Sequence, residues 1–461
     1  MAERHPKPYS SVLELIGWTP LVRLNSVTDG SRTPVYVKCE FMNPGASIKD
    51  RIGLAMLEAA ERDGSLRPGG TIVEATGGNT GLALAMAASL KGYRCICTMP
   101  DKMSNEKVKL LRAFGAEVII TPTAVPPDHP DHYLQKARSI TAETPGAVMA
   151  DQFYNEANPD AHYHSTGREI WEQSEGRVTH FVASAGTGGT VTGVGRYLKE
   201  KNSDVRIIGI DPEGSMIAPF FNTGEKVEGH PYKVEGIGND KIPGTLDLDV
   251  VDEFRMLDDG ASFRMARRLT REEGLFGGGS SGLLVQGAVD VAKELDDPDA
   301  FVVSIVCDWG ERYLSKLYDD DWMRENGFLE RPRRSTAAEV LSTKDSPLGA
   351  LITVEPTTPV RMALSTITAH NIGQLPVILE GDCVGSTTEA RLLTQVIEDP
   401  SILDKPIESV MRPPFPVVDG HVDSEEVRHL LGRDNAACLV RANGDLVGII
   451  TRYDVVRTLT G

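Results

Sequence analysis

The sequence is poor in cysteine, in basic charge and in long apolar runs, and each shortage removes a class of protein. Six cysteines, Cys39, Cys95, Cys97, Cys307, Cys383 and Cys438, are scattered through 461 residues. They form no CxxC pair and no Cys/His cluster at zinc-finger spacing, so neither a disulfide framework nor a metal site is expected. Cys95 and Cys97 lie in "YRCICTMP", which reads as a strand. Alternation puts both on one face, where a core position is the ordinary use. The formal net charge is −18, which excludes a general basic footprint for nucleic acid or an anionic membrane. The opening "MAERHPKPYSS" has no apolar signal core, and no apolar run is long enough to span a bilayer. A reduced, soluble, cytoplasmic protein is expected.

What is present is alternation. From about residue 35 to 320, short β-rich runs lead into amphipathic ones. "PVYVKCE" precedes "IKDRIGLAMLEAAERDG", "GGTIVEAT" precedes "NTGLALAMAASLKG", and "VTHFVASAG" precedes "TVTGVGRYLKEK". Such units build an α/β fold with mostly parallel sheets. Two clusters, before and after about residue 140, suggest two lobes with a ligand cleft between them. The expected catalytic domain spans 1–325, and a polar, proline-bearing linker spans 326–348. Beyond it, an α+β module at 349–461 contains an internal repeat, with copies at about 349–400 and 404–461. "EGDCVGSTTEARLL" matches "NGDLVGIITRYDVV", with Gly385 on Gly448 at an offset of 63 residues. Each copy reads helix, strand, turn, strand, helix, and one copy alone buries too little core to stand by itself.

Three glycine-rich loops face an anion. In "ASAGTGGTVTG", Gly186, Gly188 and Gly189 allow close approach to the backbone at a helix start, and Thr187 and Thr190 add hydroxyls. Unpaired N–H groups there carry the positive end of the helix dipole, which makes a phosphate cup. The loop is neither a P-loop nor a Rossmann fingerprint, because the following Lys-Ser/Thr and the third glycine are missing. In "EATGGNTGLAL", Thr76, Gly77, Gly78, Asn79 and Thr80 offer small donors without fixed charge, which suits an amino-acid carboxylate. In "LFGGGSSGLLVQ", Ser280 is either a plain N-cap or a hydroxyl offered to a buried ligand. Lys49, in "NPGASIKDR", completes the set. Ser47 and Asp50 have capping-box spacing, so a helix is expected to begin near Ser47 with Lys49 in its first turn. The dipole and burial both favour a neutral amine there, able to form an imine with an aldehyde. An imine-forming lysine, a phosphate cup and a carboxylate loop together indicate pyridoxal 5'-phosphate with an amino-acid substrate.

Six motifs, "ELIGWTPLVRL", "NPGASIKDR", "EATGGNTG", "SAGTGGTVTG", "EGIGNDKIP" and "GGGSSG", resemble in order those of the fold-type II pyridoxal-phosphate enzymes of the cysteine synthase and cystathionine β-synthase group. The C-terminal repeat resembles the paired CBS regulatory module. The resemblance implies that Lys49 carries the cofactor and moves protons, and that Gly186–Thr190 hold its phosphate. It implies that Asn79 bonds the ring 3-hydroxyl and that Ser280 faces the pyridine nitrogen. Thr76, Gly77, Gly78, Thr80 and Gln152 would bind the substrate carboxylate, and Gly236 and Gly238 would line the second-substrate side. The implied reaction is β-replacement of serine by homocysteine to give cystathionine and water; the alternative is O-acetylserine plus sulfide.

The chain departs from the pattern at Phe153, Gly77 and Asn239, all of which bear on thiol and leaving-group preference. No haem-binding extension with Cys and His ligands is seen, so no haem is expected, and the CxxC of some relatives is replaced within "KEKNSDVRIIG". In the second repeat Gly448, Thr451 and Asp454 satisfy a nucleoside motif; in the first, Arg391 stands at the acid position and accepts nothing from a ribose hydroxyl. One adenosyl site at Thr451 and Asp454 is expected, with S-adenosylmethionine the effector implied by resemblance. The family also implies a homodimer or homotetramer. A nucleoside sensor fused to a degenerate enzyme is a reading of another class, opposed by the intact Lys49, Asn79, Gly186–Thr190 and Ser280.

Overall fold

The strand-like runs form strands, but they are shared between sheets differently from their order in the chain. The computed structural model describes residues 8–76, 78–101, 103, 105–126, 128–330, 335–342, 351–432 and 435–455. The chain divides into two units, Met1–Glu330 and Arg331–Gly461. Strands of the first unit are β1 (Leu21–Arg23), β2 (Val35–Cys39), β3 (Thr71–Ala75), β4 (Arg94–Pro100), β5 (Glu117–Thr121), β6 (Ala147–Met149), β7 (His180–Ala183), β8 (Arg206–Pro212), β9 (Glu253–Leu257) and β10 (Val302–Val306). One sheet runs β5-β4-β3-β6 and the other β1-β2-β10-β7-β8-β9. Every pairing is parallel except β1 with β2. All residues of β3 and β10 are buried, as expected of strands covered on both faces. Cys95 and Cys97 share a face of β4, their sulfurs 3.9 Å apart in the core.

Two lobes are present, but "PVYVKCE" is not in the early one. It is β2, and it pairs with β10 from the other end of the domain. Its hydrophobic pattern fits either sheet, so only the long-range pairing decides. The helix after it, Lys49–Arg62, packs on the first lobe. A buried charge network fixes that crossing. Arg51 pairs with Glu40 and Glu169 at 2.7 Å each, and Lys38 of β2 pairs with Glu169 at 2.6 Å. Burial opposes the Glu169 carboxylate, but Arg51 and Lys38 outweigh it and hold its pKa at about 2. Removing one partner of such a network would strand a buried charge, at a cost of about 3–5 kcal/mol.

The expected capping box at Ser47 and Asp50 does not form. The helix begins at Lys49 with Ile48 at the N-cap position, and the Ser47 hydroxyl accepts from Lys49 N at 3.3 Å rather than from Asp50 N. The Asp50 carboxylate instead accepts from Gly45 N at 2.5 Å, because the chain doubles back through Pro44–Gly45 and brings that N–H nearer.

In the second unit the repeat is legible in three dimensions. Strands β11 (Gln374–Leu379) and β12 (Asp382–Thr388) form one hairpin, and β14 (Ala437–Ala442) and β15 (Asp445–Thr451) the other, with β13 (Val417–Asp419) beside β14. Val377 pairs with Gly385 before a bulge, and Val440 with Gly448 before a bulge, at the same 63-residue offset. Both turns use left-handed pairs, Glu380–Gly381 and Asn443–Gly444, the chemistry of a tight hairpin. Part of the expected linker is folded: Ala337–Ser342 is a helix. Ala337 and Val340 bury one face of it in the core of the second repeat, against Val427, Val440 and Ile450.

Candidate active site

The carboxyl ends of β3, β7 and β10 converge, which is where open α/β sheets place ligands. Lys49, Asn79, Gly186, Thr187, Gly188, Thr190, Gly236 and Ser280 line one cavity. Cys307, Asp308, Tyr313, Ser184 and Glu235 also belong to its wall. Lys49 is half-buried in that wall, and its amine has no hydrogen-bond partner among the described residues. Burial lowers its pKa, with Cys307 and Asp308 opposing.

The loop after β7 turns into the helix Gly189–Lys201 through Gly188, at φ +86°. The glycines here serve the protein's own packing as well as a ligand. A Cβ on Gly186 would meet Gly236 O at 2.4 Å, one on Gly188 would meet Leu246 at 2.4 Å, and one on Gly189 would meet Asn158 Oδ1 at 1.9 Å. Thr187 Oγ1 accepts from Asn158 Nδ2 at 3.0 Å, and Thr187 O accepts from Thr245 at 2.6 Å. Thr190 bonds His162 Nε2 at 3.2 Å. Burial, with Arg51 and Lys49 nearby, keeps His162 well below its usual pKa and therefore neutral. The N–H groups of Gly186, Thr187 and Gly188 find no acceptor among the described residues, and the buried Ser184 hydroxyl is equally unpartnered. Orphaned donors facing a cavity fit a phosphate ester.

The loop after β3 leads into the helix Asn79–Lys91. Gly77 lies outside the described residues. Thr76 Oγ1 accepts from Gly78 N at 3.3 Å, and Thr80 donates to Gln152 Oε1 at 2.7 Å. Gln152 in turn helps hold Glu74, whose carboxyl burial pushes up to about 8. Thr76, Gly78, Thr80 and Gln152 are thus linked in pairs on either side of Asn79, which lines the cavity while these four do not. Gly238 also stands back from it, donating its N–H to Ala185 O at 2.9 Å.

Ser280 does not cap its helix: Gly278 holds that position, which leaves Ser280 to the cavity. Asn239 donates Nδ2 to Gly186 O at 3.2 Å, tying the "GIG" loop to the cup. Phe153 presents its ring to Lys241 at 5.8 Å. Sequence reading did not single out Asp308, Arg312 or Tyr313; an acid directly after an apolar strand, in "IVCDWGERY", was the available signal. In the second unit, Thr451 N and Oγ1 each bond Asp454 Oδ2 at 2.7 Å. Thr388 in the first repeat accepts from Arg391 N at 3.4 Å. Among the described residues no His/Cys/Asp/Glu group suits a metal, and no helix is long and apolar enough to cross a membrane.

Comparison with known proteins agrees with this geometry. The family model for pyridoxal-phosphate dependent enzymes matches residues 12–308, and that for the CBS domain matches 341–398 and 407–461. A cystathionine beta-synthase of Dictyostelium discoideum is 37% identical across 97% of this chain and 92% of its own length. The chain belongs to the cystathionine β-synthase family of pyridoxal-phosphate enzymes. A family member from Rattus norvegicus is 43% identical over 86% of this chain and 71% of its own. Among solved structures, an O-ureido-L-serine synthase is 36% identical with TM-score 0.63, covering 71% of this chain and 98% of that one. A hydrogen sulfide-producing enzyme from Fusobacterium nucleatum is 36% identical with TM-score 0.62, covering 67% and 100%.

Proposed function

We propose that the chain condenses L-serine with L-homocysteine to give cystathionine and water. The observation that carries this is the extent of the match to relatives named cystathionine beta-synthase, which takes in the C-terminal pair as well as the cavity domain. Bound pyridoxal phosphate supplies an aldehyde for amines and an electron sink for negative charge at the substrate α-carbon.

The chain's own residues supply position and proton transfer. Lys49, with its pKa lowered by burial, takes the α-proton and hands it to the departing β-hydroxyl so that it leaves as water; it then receives the proton released by the incoming thiol and returns that one to the α-carbon. The N–H groups of Gly186, Thr187 and Gly188 hold the phosphate, with the Thr190 hydroxyl beside them. Gly189 opens the helix that points its dipole at that anion. Asn79 meets the ring 3-oxygen. Ser280 offers the pyridine nitrogen a hydroxyl, which does not hold that nitrogen charged as a carboxylate does. Thr76, Gly77, Gly78, Thr80 and Gln152 receive the substrate carboxylate, and Gly236 and Gly238 flank the incoming thiol. Replacing Lys49 with Ala is expected to lower turnover by at least about 10³-fold and to abolish cofactor retention after borohydride reduction; turnover at wild-type rate would refute the assignment.

Phe153 favours a second reading, in which O-acetylserine and sulfide give cysteine on the same scaffold. Purified protein offered both substrate pairs together and read by mass spectrometry separates the two. Dominant cystathionine supports the first reading and dominant cysteine the second.

The regulatory pair at 349–461 is assigned one adenosyl site, at Thr451 and Asp454, with S-adenosylmethionine as first candidate. Thr451 donates to Asp454 Oδ2 at 2.7 Å, so ribose hydroxyls would compete for that carboxylate; calorimetric titration tests this. We further assign the protein to the cytoplasm, as a haem-free homodimer or homotetramer. Light scattering and a visible spectrum without a Soret band check the last two.

A further inference from the structure

The amide of Asn79 is held by two groups that leave it no choice of orientation. Arg312 donates to Asn79 Oδ1, and Asn79 Nδ2 donates to Asp308 Oδ2 at 2.8 Å. Guanidinium only donates and carboxylate only accepts. A flip of the amide would therefore set two donors against each other on one side and two acceptors on the other.

Both clamps are themselves held. Asp308 is buried and accepts a second bond from Tyr313 at 2.7 Å. Arg312 also donates to Gly45 O at 2.6 Å, in the loop that delivers Lys49. Burial raises the Asp308 carboxyl, while Tyr313, Asn79 and Arg312 oppose that rise. Of the four polar valences of the Asn79 amide, one Nδ2 hydrogen and one Oδ1 lone pair remain. With Oδ1 committed to Arg312 and the amide unable to flip, the remaining N–H is the donor that Asn79 has left to offer the cavity it lines.

We propose that Asp308 and Arg312 are positioning residues that fix Asn79 as a hydrogen-bond donor to the cavity, so that an aromatic hydroxyl placed against it is favoured in its deprotonated form. A donor stabilises an oxyanion and lowers the pKa of the parent hydroxyl; an unclamped amide can turn its carbonyl to the same hydroxyl and favour the neutral form. The proposal rests on the pyridoxal-phosphate reading of the cavity, where the ring 3-hydroxyl is that group. It assigns Arg312 and Asp308, the latter also in the cavity wall, an action on the ring through Asn79.

The test is a pH titration of the bound cofactor's absorbance in the full-length holoprotein, with cofactor affinity measured separately by fluorescence titration of the apoprotein. Asp308→Asn keeps the shape and removes the obligate acceptor. Its absorbance midpoint is expected to rise by about 0.5–1 pH unit, the worth of one ordinary hydrogen bond. In an Asn79→Ala background the same change should add no further shift. If Asp308→Asn lowers thermal stability or cofactor affinity while leaving the midpoint in place, the residue is structural and the proposal falls. If the shift persists without Asn79, Asp308 acts on the ring directly and the proposal also falls. Should Asp308→Asn fail to fold, Arg312→Met removes the other half of the clamp and is read in the same way. Failure of wild-type protein to retain pyridoxal phosphate on Lys49 after borohydride reduction would instead overturn the cofactor reading itself.

Discussion

The loop at Gly186–Thr190 and the loop at Thr76–Thr80 both carry a strand into a helix N-terminus, yet they are secured differently. The first is filled from behind: Gly236, Leu246 and Asn158 occupy the space any side chain on its glycines would need. Thr187 is tied through both its hydroxyl and its carbonyl. In the second loop, Gly78 has nothing within 4 Å of a Cβ position, and the side-chain bonds gather at the helix start, where Asn79 is held by Asp308 and Arg312 and Thr80 by Gln152. Under the proposed function, that difference would match two ligands of different residence. A phosphate that stays through every turnover is best met by donors already in place, whereas a substrate carboxylate arrives and leaves and needs room to be grasped.

That contrast can be broken at single atoms. The largest effect is expected from Gly189→Ala, whose Cβ would lie 1.9 Å from Asn158 Oδ1. Overpacking there should cost about 1–3 kcal/mol and weaken cofactor retention, read by thermal melts and by dialysis of the holoprotein. Unchanged retention would mean that the cup is as adaptable as its counterpart.

A middle effect is expected at Glu74, at the end of β3 just before the second loop. Burial raises its carboxyl to about 8. An acid raised by folding contributes stability that is full below its unfolded pKa, near 4, and is lost as pH climbs through the folded value. Glu74→Gln removes that titration, so the fall in Tm between pH 5 and 8 should flatten. It should not vanish, because burial also raises Asp50 to about 7 and Asp211 to about 6. An unaltered slope would place the Glu74 proton elsewhere.

The smallest effect is expected from Gly78→Ala. At φ −139° a side chain is tolerated, and the space is open. Stability should change by no more than about 0.5 kcal/mol, while KM for the amino-acid substrate rises if the loop closes on it. A large loss of stability would show that the second loop is as tightly packed as the first.

Much of the site was legible because its chemistry is local. Lys49, Asn79, Gly186 and Ser280 each announce themselves by a helix start and small neighbours. Asp308 did not, because its role depends on an amide 229 residues away and an acid after a strand is commonplace. The capping box was misread for a related reason: spacing shows that Asp50 can reach back, but which N–H it meets depends on the turn at Gly45. The linker was misread at Ala337–Ser342, where two apolar residues sufficed for a helix once the second repeat offered them a surface.

The sequence by itself determined the alternation of strand and helix, the 63-residue repeat with its bulges and turns in register, and the residue types an aldehyde cofactor needs. These are properties of neighbouring residues, set by periodicity, left-handed turn positions and helix termini. Only the tertiary structure decided that β2 crosses to the later lobe, that the glycines after β7 pack against Leu246 and Asn158, and that Asn79 is held between Asp308 and Arg312. Those are contacts between residues far apart in the chain, and no local pattern encodes which of several chemically acceptable partners the fold will bring within 3 Å.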